Sequence, residues 1–380
     1  MDFALFYEIP IPDPLNEHSY HTAVWRAIEE AVFADKMGFH SFWTVEHHFT
    51  DALSTCSAPE VIFGNIAART ENMRIGHGVR LLPHQYNNPI RVAEQAAMVD
   101  ILSKGRLEFG TGRSATRTEL EGMGVNPHET RAQQDEALDV IIKAWTEDEM
   151  DYDGKYWKMP KRRVCPKPFQ QPHPPVWQAT TSPEGHVQVG EKGLGLLSFT
   201  IGVSPEVLGE RIAGYKEGLT RCTKPVGKFV NDRIGAFTMV HCAPTRAEAK
   251  EEAAPSFEWY GNNNGRLIQD FSNWLEGKDQ PLGTYEYIKM YADAGAENTG
   301  SGMNFDALDA EGAVIAGDPD HVIEIAKRYE AVGCELLMCL VNPYDIPHDK
   351  VMQSIELIGK HVIPEFKRED TSRIGTTTLV

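Results

Sequence analysis

The 380-residue sequence predicts an α/β fold, a single (β/α)8 barrel with a lid-like insertion late in the chain. Three observations point there. Eight strand-like runs are each trailed by a helical run, the pattern of parallel βαβ units rather than a meander. The first strand leads into Glu8-Ile9-Pro10-Ile11-Pro12-Asp13-Pro14, which cannot be the glycine-rich loop that a doubly wound dinucleotide sheet carries. Ionisable and small residues gather just after the strands, where a barrel of this kind builds its site.

The strand candidates, in order, are 3–7, 41–45, 73–82, 107–110, 176–179, 194–200, 234–241 and 335–341, each rich in β-branched, aromatic or other apolar residues. The helices between them are expected over 20–37, 59–68, 89–102, 131–146, 183–192, 205–219, from Thr245 onward, and over 350–360. Gly38 stops the first helix, and Pro59, Pro89, Pro183 and Pro205 open four others, as a proline at the first helical position does. Two stretches break the alternation. Residues 147–160 read as a small hairpin around Asp153-Gly154, and about 255–312 is polar, Gly- and Asn-rich and long enough for a lid. Domain organisation is therefore one barrel over 1–366, an insertion at about 255–312 hinged at Gly261 to Gly265 and Gly300 to Gly302, and a tail over 367–380.

The formal charge of −18 argues against a nucleic-acid surface, which needs a basic patch. No apolar run approaches the ~20 residues of a membrane span, and the start has no basic leader, so the expected setting is cytoplasmic. The six cysteines show no Cys-x-x-Cys pair and no zinc spacing, and no His-x-His follows the first strand, so reduced thiols and no metal site are expected.

The triplet Glu46-His47-His48 follows the second strand. Side chains alternate along a strand, so both imidazoles face one mouth only if the strand has already ended; one works while the other packs. The same triplet is equally readable as hydrogen-bonded histidines closing a strand. Gly76-His77-Gly78-Val79-Arg80 lies near the end of the third strand, where two glycines imply close approach of something flat or bulky, or else a bulge. Gly110-Thr111-Gly112-Arg113-Ser114 after the fourth strand suits a phosphate, which a guanidinium can hold by two oxygens. Thr180-Thr181-Ser182-Pro183-Glu184-Gly185 opens a helix whose start is either an anion site or an ordinary Ser cap.

The ordered set Glu46-His47-His48-Phe49-Thr50, Ile75-Gly76-x-Gly78 before Leu82-Pro83, Asn88-Pro89 with Ala93-Glu94-Gln95, Asp100-x-x-Ser103-Lys104-Gly105-Arg106 before Phe109-Gly110, and Gly317-Asp318-Pro319 resembles the bacterial luciferase-like flavin monooxygenases over most of the chain. The resemblance implies a TIM barrel that binds reduced FMN. It implies that His47 is the active histidine, with Glu46 or His48 orienting it. It further implies a non-proline cis peptide at Gly78-Val79 against the flavin ring, Arg113 with Ser114 at the phosphate, Thr181, Ser182 and Gly185 sharing that task, and Thr200 beside the flavin. Gly112 stands where the luciferases carry a reactive cysteine and Thr200 where they carry a tryptophan, so light emission is not expected.

Taken further, the resemblance implies a two-component monooxygenase. Reduced FMN from a separate NAD(P)H-dependent flavin reductase reacts with oxygen to a flavin 4a-hydroperoxide, which oxygenates a small, fairly apolar substrate. A homodimer, or a heterodimer with a paralogue, is the expected assembly. The alternatives are a deazaflavin-dependent dehydrogenase of the same superfamily and a non-catalytic flavin-binding partner subunit. The partner subunit typically lacks the active histidine and the phosphate arginine, both present here as His47 and Arg113.

Overall fold

The computed structural model describes residues 1–276, Tyr285 and 304–366. Twelve strands lie in chain order: β1 (Asp2–Tyr7), β2 (Ser41–Thr44), β3 (Arg74–His77), β4 (Arg80–Leu81), β5 (Leu107–Gly112), β6 (Met150–Asp153), β7 (Lys158–Arg162), β8 (Val176–Thr180), β9 (Gly195–Phe199), β10 (Ile234–Cys242), β11 (Ile315–Gly317) and β12 (Leu336–Leu340). Parallel pairing runs β10-β12-β1-β2-β3-β5-β8-β9 and returns to β10, which closes an eight-stranded barrel. Closure leaves the barrel strands without free edges, and their near-continuous burial is what strands with both faces covered require. Among the described residues no helix is long and apolar enough to cross a membrane.

The helices that position the site are α1 (Ser19–Met37), α2 (Pro59–Arg69), α3 (Pro89–Leu102), α4 (Arg117–Gly122), α5 (Thr130–Thr146), α6 (Pro183–Glu191), α7 (Pro205–Arg221) and α8 (Arg246–Glu276). Their starts follow the sequence signals. Asn88, Ser182 and Ser204 cap α3, α6 and α7 through their side-chain oxygens, each ahead of a proline at the first position. Gly38, with φ of 87°, ends α1 in the left-handed conformation.

Trp43 and Trp177 meet edge-on inside the barrel at 5.6 Å. The glycines of the third strand are explained by these interior rings: a Cβ on Gly76 would sit 2.2 Å from the Trp43 indole, and one on Gly78 would sit 2.7 Å from the Phe6 ring. Gly110 on β5 faces the backbone carbonyl of His77, which an added Cβ would meet at 1.9 Å.

Three features differ from the sequence expectations. The third strand is interrupted at Gly78 and Val79 and resumes as β4 against β5. The Gly78-Val79 bond is not cis; among the described residues the cis peptides precede Pro14, Pro166 and Pro172. A trans bond is the default, because the cis form of a non-proline peptide costs about 3–4 kcal/mol; the preceding peptide is fixed by the Gly78 amide, which donates to the Thr44 carbonyl at 2.8 Å. Third, Gly261 to Gly265, read as a hinge, is helical: α8 runs unbroken from Arg246 to Glu276. Its first half contributes Phe257 and Tyr260 to the main core. Its second half packs Phe271 and Leu275 with Leu120, Val125 and Tyr285 in a small satellite core. Gly300 to Gly302 and the tail over 367–380 lie outside the described residues. The hairpin around Asp153-Gly154 is present as β6 and β7.

Candidate active site

The carboxyl ends of the barrel strands open into a cavity of about 1230 Å³. Phe6, Val79, Leu197, Phe237 and Met338 give it an apolar floor, and Trp259, Leu267, Ile268 and Leu308 line it from the side of α8 and the following segment.

β2 ends at Thr44, before the triplet, so strand alternation no longer governs it. His47 lines the cavity, whereas His48 turns away, stacks on Tyr86 at 5.9 Å and bonds Glu46 through Nε2 at 3.2 Å. One imidazole faces the site and the other packs. The expectation that Glu46 or His48 orients His47 is corrected. The Glu46 carboxylate accepts the Leu81 amide and the Asn87 side-chain amide, each at 2.9 Å, and lies 3.3 Å from Arg80, so it ties the β2 loop to β4.

His47 is oriented instead by two carboxylates from distant parts of the chain. Its Nδ1 is 2.9 Å from Glu119 Oε1 and its Nε2 is 3.5 Å from Glu8 Oε2. Glu119 is fully buried on α4; its Oε2 accepts the Ser114 hydroxyl at 2.8 Å and the Thr116 hydroxyl at 2.7 Å, and its Oε1 also accepts the His48 amide at 3.1 Å. Burial alone would lower the His47 pKa. The charge and hydrogen bond of Glu119, with Glu8 and Glu46 behind them, outweigh burial and hold it up at about 9. Burial would raise Glu119, but His47 and the two hydroxyls bring it down to about 2. At neutral pH the pair is therefore imidazolium and carboxylate, so His47 carries a proton it can donate, unlike the neutral imidazole its ordinary value would give.

Arg113, Ser114, Thr181, Ser182 and Gly185 all line the cavity, as do Gly78 and Val79. Arg113 donates to Thr130 at 3.1 Å, and its guanidinium lies 3.9 Å over the Tyr285 ring. The neighbouring Arg131 also lines the cavity and bonds Gln188 of α6, so the arginines that follow β5 and helix α6 share one end of it. Ser182 caps α6 by accepting the Gly185 amide at 3.0 Å. Ser114 has a left-handed φ of 65° and spends its hydroxyl on Glu119. Thr200 does not line the cavity. Its hydroxyl donates to the Phe237 carbonyl of β10 and it is fully buried in the barrel wall, which corrects its expected place beside the flavin.

Sequence reasoning missed Glu119, Glu8 and Arg131. The one local sign of Glu119 is Thr116-x-x-Glu119 ahead of a helix, a capping pattern. Glu8 stood in plain view after the first strand, without a signal of its partners.

Residues 1–336 match the family model described as luciferase-like monooxygenase. The oxygenase component of the flavin-dependent trigonelline monooxygenase of Acinetobacter baylyi is 33% identical over 352 residues, covering 92% of this chain and 92% of that protein. The alkanal monooxygenase alpha chain of Aliivibrio fischeri is 25% identical, covering 87% and 90%. Among solved structures, the FMN-bound oxygenating constituent of 3,6-diketocamphane monooxygenase of Pseudomonas putida superposes with a TM-score of 0.76 at 22% identity, covering 96% of this chain and 98% of that one. An F420-dependent secondary alcohol dehydrogenase superposes at 0.70 with 18% identity, covering 97% and 99%. At such identities the structural likeness shows the shared barrel alone. The family match and the trigonelline relative carry more: this chain belongs to the luciferase-like monooxygenase family and is a flavin-dependent monooxygenase.

Proposed function

We propose that the chain is the oxygenase component of a two-component system, using reduced FMN from a separate NAD(P)H-dependent flavin reductase and molecular oxygen to oxygenate a small, fairly apolar organic substrate. The observation that carries this reading is one cavity that combines an apolar floor, an arginine-bearing end and a doubly flanked imidazolium. The name of the trigonelline relative, an oxygenase component, supports the reductase partner.

The residues fit a flavin. At about 1230 Å³ the cavity exceeds the ~300–1,000 Å³ of an ordinary ligand pocket, which leaves room for a second small molecule. Phe6, Gly78, Val79 and Leu197 would take the ring, and Arg113 with Thr181 and the positive end of α6, whose start Ser182 and Gly185 set, would hold the phosphate. Reduced flavin, when bound, supplies the electrons that activate oxygen. His47 presents its Nε2 proton to the cavity while Glu119 holds Nδ1, so it can protonate an oxygen that gains negative charge there and recover the proton afterwards. The apolar residues of α8 keep water from that oxygen, and we take the stretch at about 255–312 as the cover of the mouth. Exposed Val61 on α2 and Met98 and Leu102 on the adjacent α3 support association of two chains through this face, in the cytoplasmic setting the sequence leads one to expect.

Anaerobic titration of the purified chain with reduced FMN, reduced riboflavin and a reduced deazaflavin tests the reading. Reduced FMN is expected to bind tightest. Preferential deazaflavin binding, with hydride transfer to a carbonyl compound and no need for oxygen, would replace this reading with the dehydrogenase.

A further inference from the structure

Glu8 follows β1 directly and is 4% exposed. Its Oε1 accepts the Tyr260 hydroxyl at 2.8 Å, while Oε2 has no hydrogen-bond partner and faces His47 Nε2 at 3.5 Å on the cavity wall. A buried carboxyl oxygen left unmatched is costly, and native folds keep few of them. The backbone beside it is unusual as well. Ile9 has a left-handed φ of 59°, a conformation that β-branched residues avoid. The Ser54 hydroxyl on the Glu8 carbonyl and the Thr55 amide on the Ile9 carbonyl pin it there. Enforced strain of this kind gathers at functional positions. Tyr260 reaches Glu8 across 252 residues of sequence, so two remote elements converge on one carboxyl.

We propose that Glu8 is a positioning residue whose carboxylate faces His47 Nε2 and favours the return of its proton after each turnover. The proposal rests on the reading of His47 as the proton donor. Once Nε2 has released its proton into the cavity, a proton from water admitted as product leaves returns to the Nε2 lone pair. The Glu8 carboxylate, held by the Tyr260 hydroxyl, faces that nitrogen and favours the recharged imidazolium. One proton enters and one leaves, and no electron moves.

The titratable groups that bear on Glu8 are His47, Tyr260, Glu119 and the Cys56 thiol. Burial raises Glu8 above the usual carboxylate range, His47 and Tyr260 pull it back, and Glu119 pushes it up again. The Tyr260 phenol is held well above its ordinary value, first by burial and then by Glu8, so it remains a donor. Burial pushes the Cys56 thiol up to about 12, which keeps it neutral.

The test is an NMR titration of His47 in the full-length, flavin-free chain carrying 13C-labelled histidine, with H47N to assign the resonance. E8Q is expected to lower the His47 midpoint by about one pH unit or more, since it removes negative charge beside Nε2. Y260F is expected to lower it by less, because Glu8 without its donor becomes more neutral. In the flavin-loaded enzyme kcat of E8Q should fall about tenfold or more with the KM for reduced FMN within about twofold. An unchanged midpoint in Y260F and in any folded E8Q, or an unchanged kcat, would overturn this role. Should E8Q not fold, Y260F decides alone. The midpoint is read without flavin or oxygen, so its failure leaves the monooxygenase reading standing.

Discussion

Replacing Glu119 by glutamine should remove the charge that keeps His47 protonated, at nearly constant volume. Raising an imidazole from its ordinary 6.5 to about 9 corresponds to about 3 kcal/mol in favour of the imidazolium, at ~1.4 kcal/mol per pH unit. A Coulomb estimate for charges 2.9 Å apart at an effective dielectric constant of ~20 gives roughly 6 kcal/mol before desolvation is subtracted, so the two figures agree in size. The sign follows from linkage. His47 is raised in the folded protein, so its contribution is complete below about pH 6.5 and is lost as pH climbs through about 9. Glu119 is depressed to about 2, so the same pair holds only above the ordinary carboxylate value near 4.5 and fails as pH drops toward 2. Urea unfolding of wild type and E119Q across pH should thus show a stability difference of about 3 kcal/mol at pH 6 that shrinks to below about 1 kcal/mol by pH 9.5. A difference that does not change between those pH values would refute the ion pair and leave a neutral hydrogen bond in its place.

Arg113→Ala is expected to weaken binding of reduced FMN by about 2–3 kcal/mol and of riboflavin little, which parallel titrations would show; equal losses would remove the phosphate role. His47→Ala should leave flavin affinity within a few-fold and cut product formation by roughly 10²–10⁴, as loss of a proton donor does, and full turnover in this variant would make the histidine structural. The pH–rate profile of the wild type should fall as pH rises through about 9, where His47 loses its proton, with no fall near 6.5. Gly110→Ala places a Cβ against the His77 carbonyl, a backbone atom that cannot step aside, so thermal unfolding should show a loss of about 3 kcal/mol or more.

The barrel was legible because its evidence is local. Strand and helix periods, proline starts and Gly38 all act within a few residues, and they located all eight barrel strands. Ile315–Gly317 escaped because three residues carry no period. The Gly261 to Gly265 stretch misled because its intrinsic preferences are poor for a helix, while Leu267, Phe271 and Leu275 recur at helical spacing and decide the matter by packing. In the site, the triplet marked the imidazole that faces the cavity but not its environment. His47 and Glu119 lie 72 residues apart, and Tyr260 and Glu8 lie 252 apart, so the charge state of His47 is a product of the closed barrel and of no sequence motif. Thr200 was misplaced for the converse reason: position alone could not tell that its hydroxyl would be drawn to the Phe237 carbonyl.

The most direct test of the account supplies the chain with FMN, a flavin reductase and NADH under 18O2 and screens small apolar compounds by mass spectrometry. The account predicts a product heavier by one 18O atom, with its formation abolished when oxygen is removed and cut by roughly 10²–10⁴ when His47 is replaced by alanine. A product that forms equally well under argon, or that carries no label from 18O2, would contradict it.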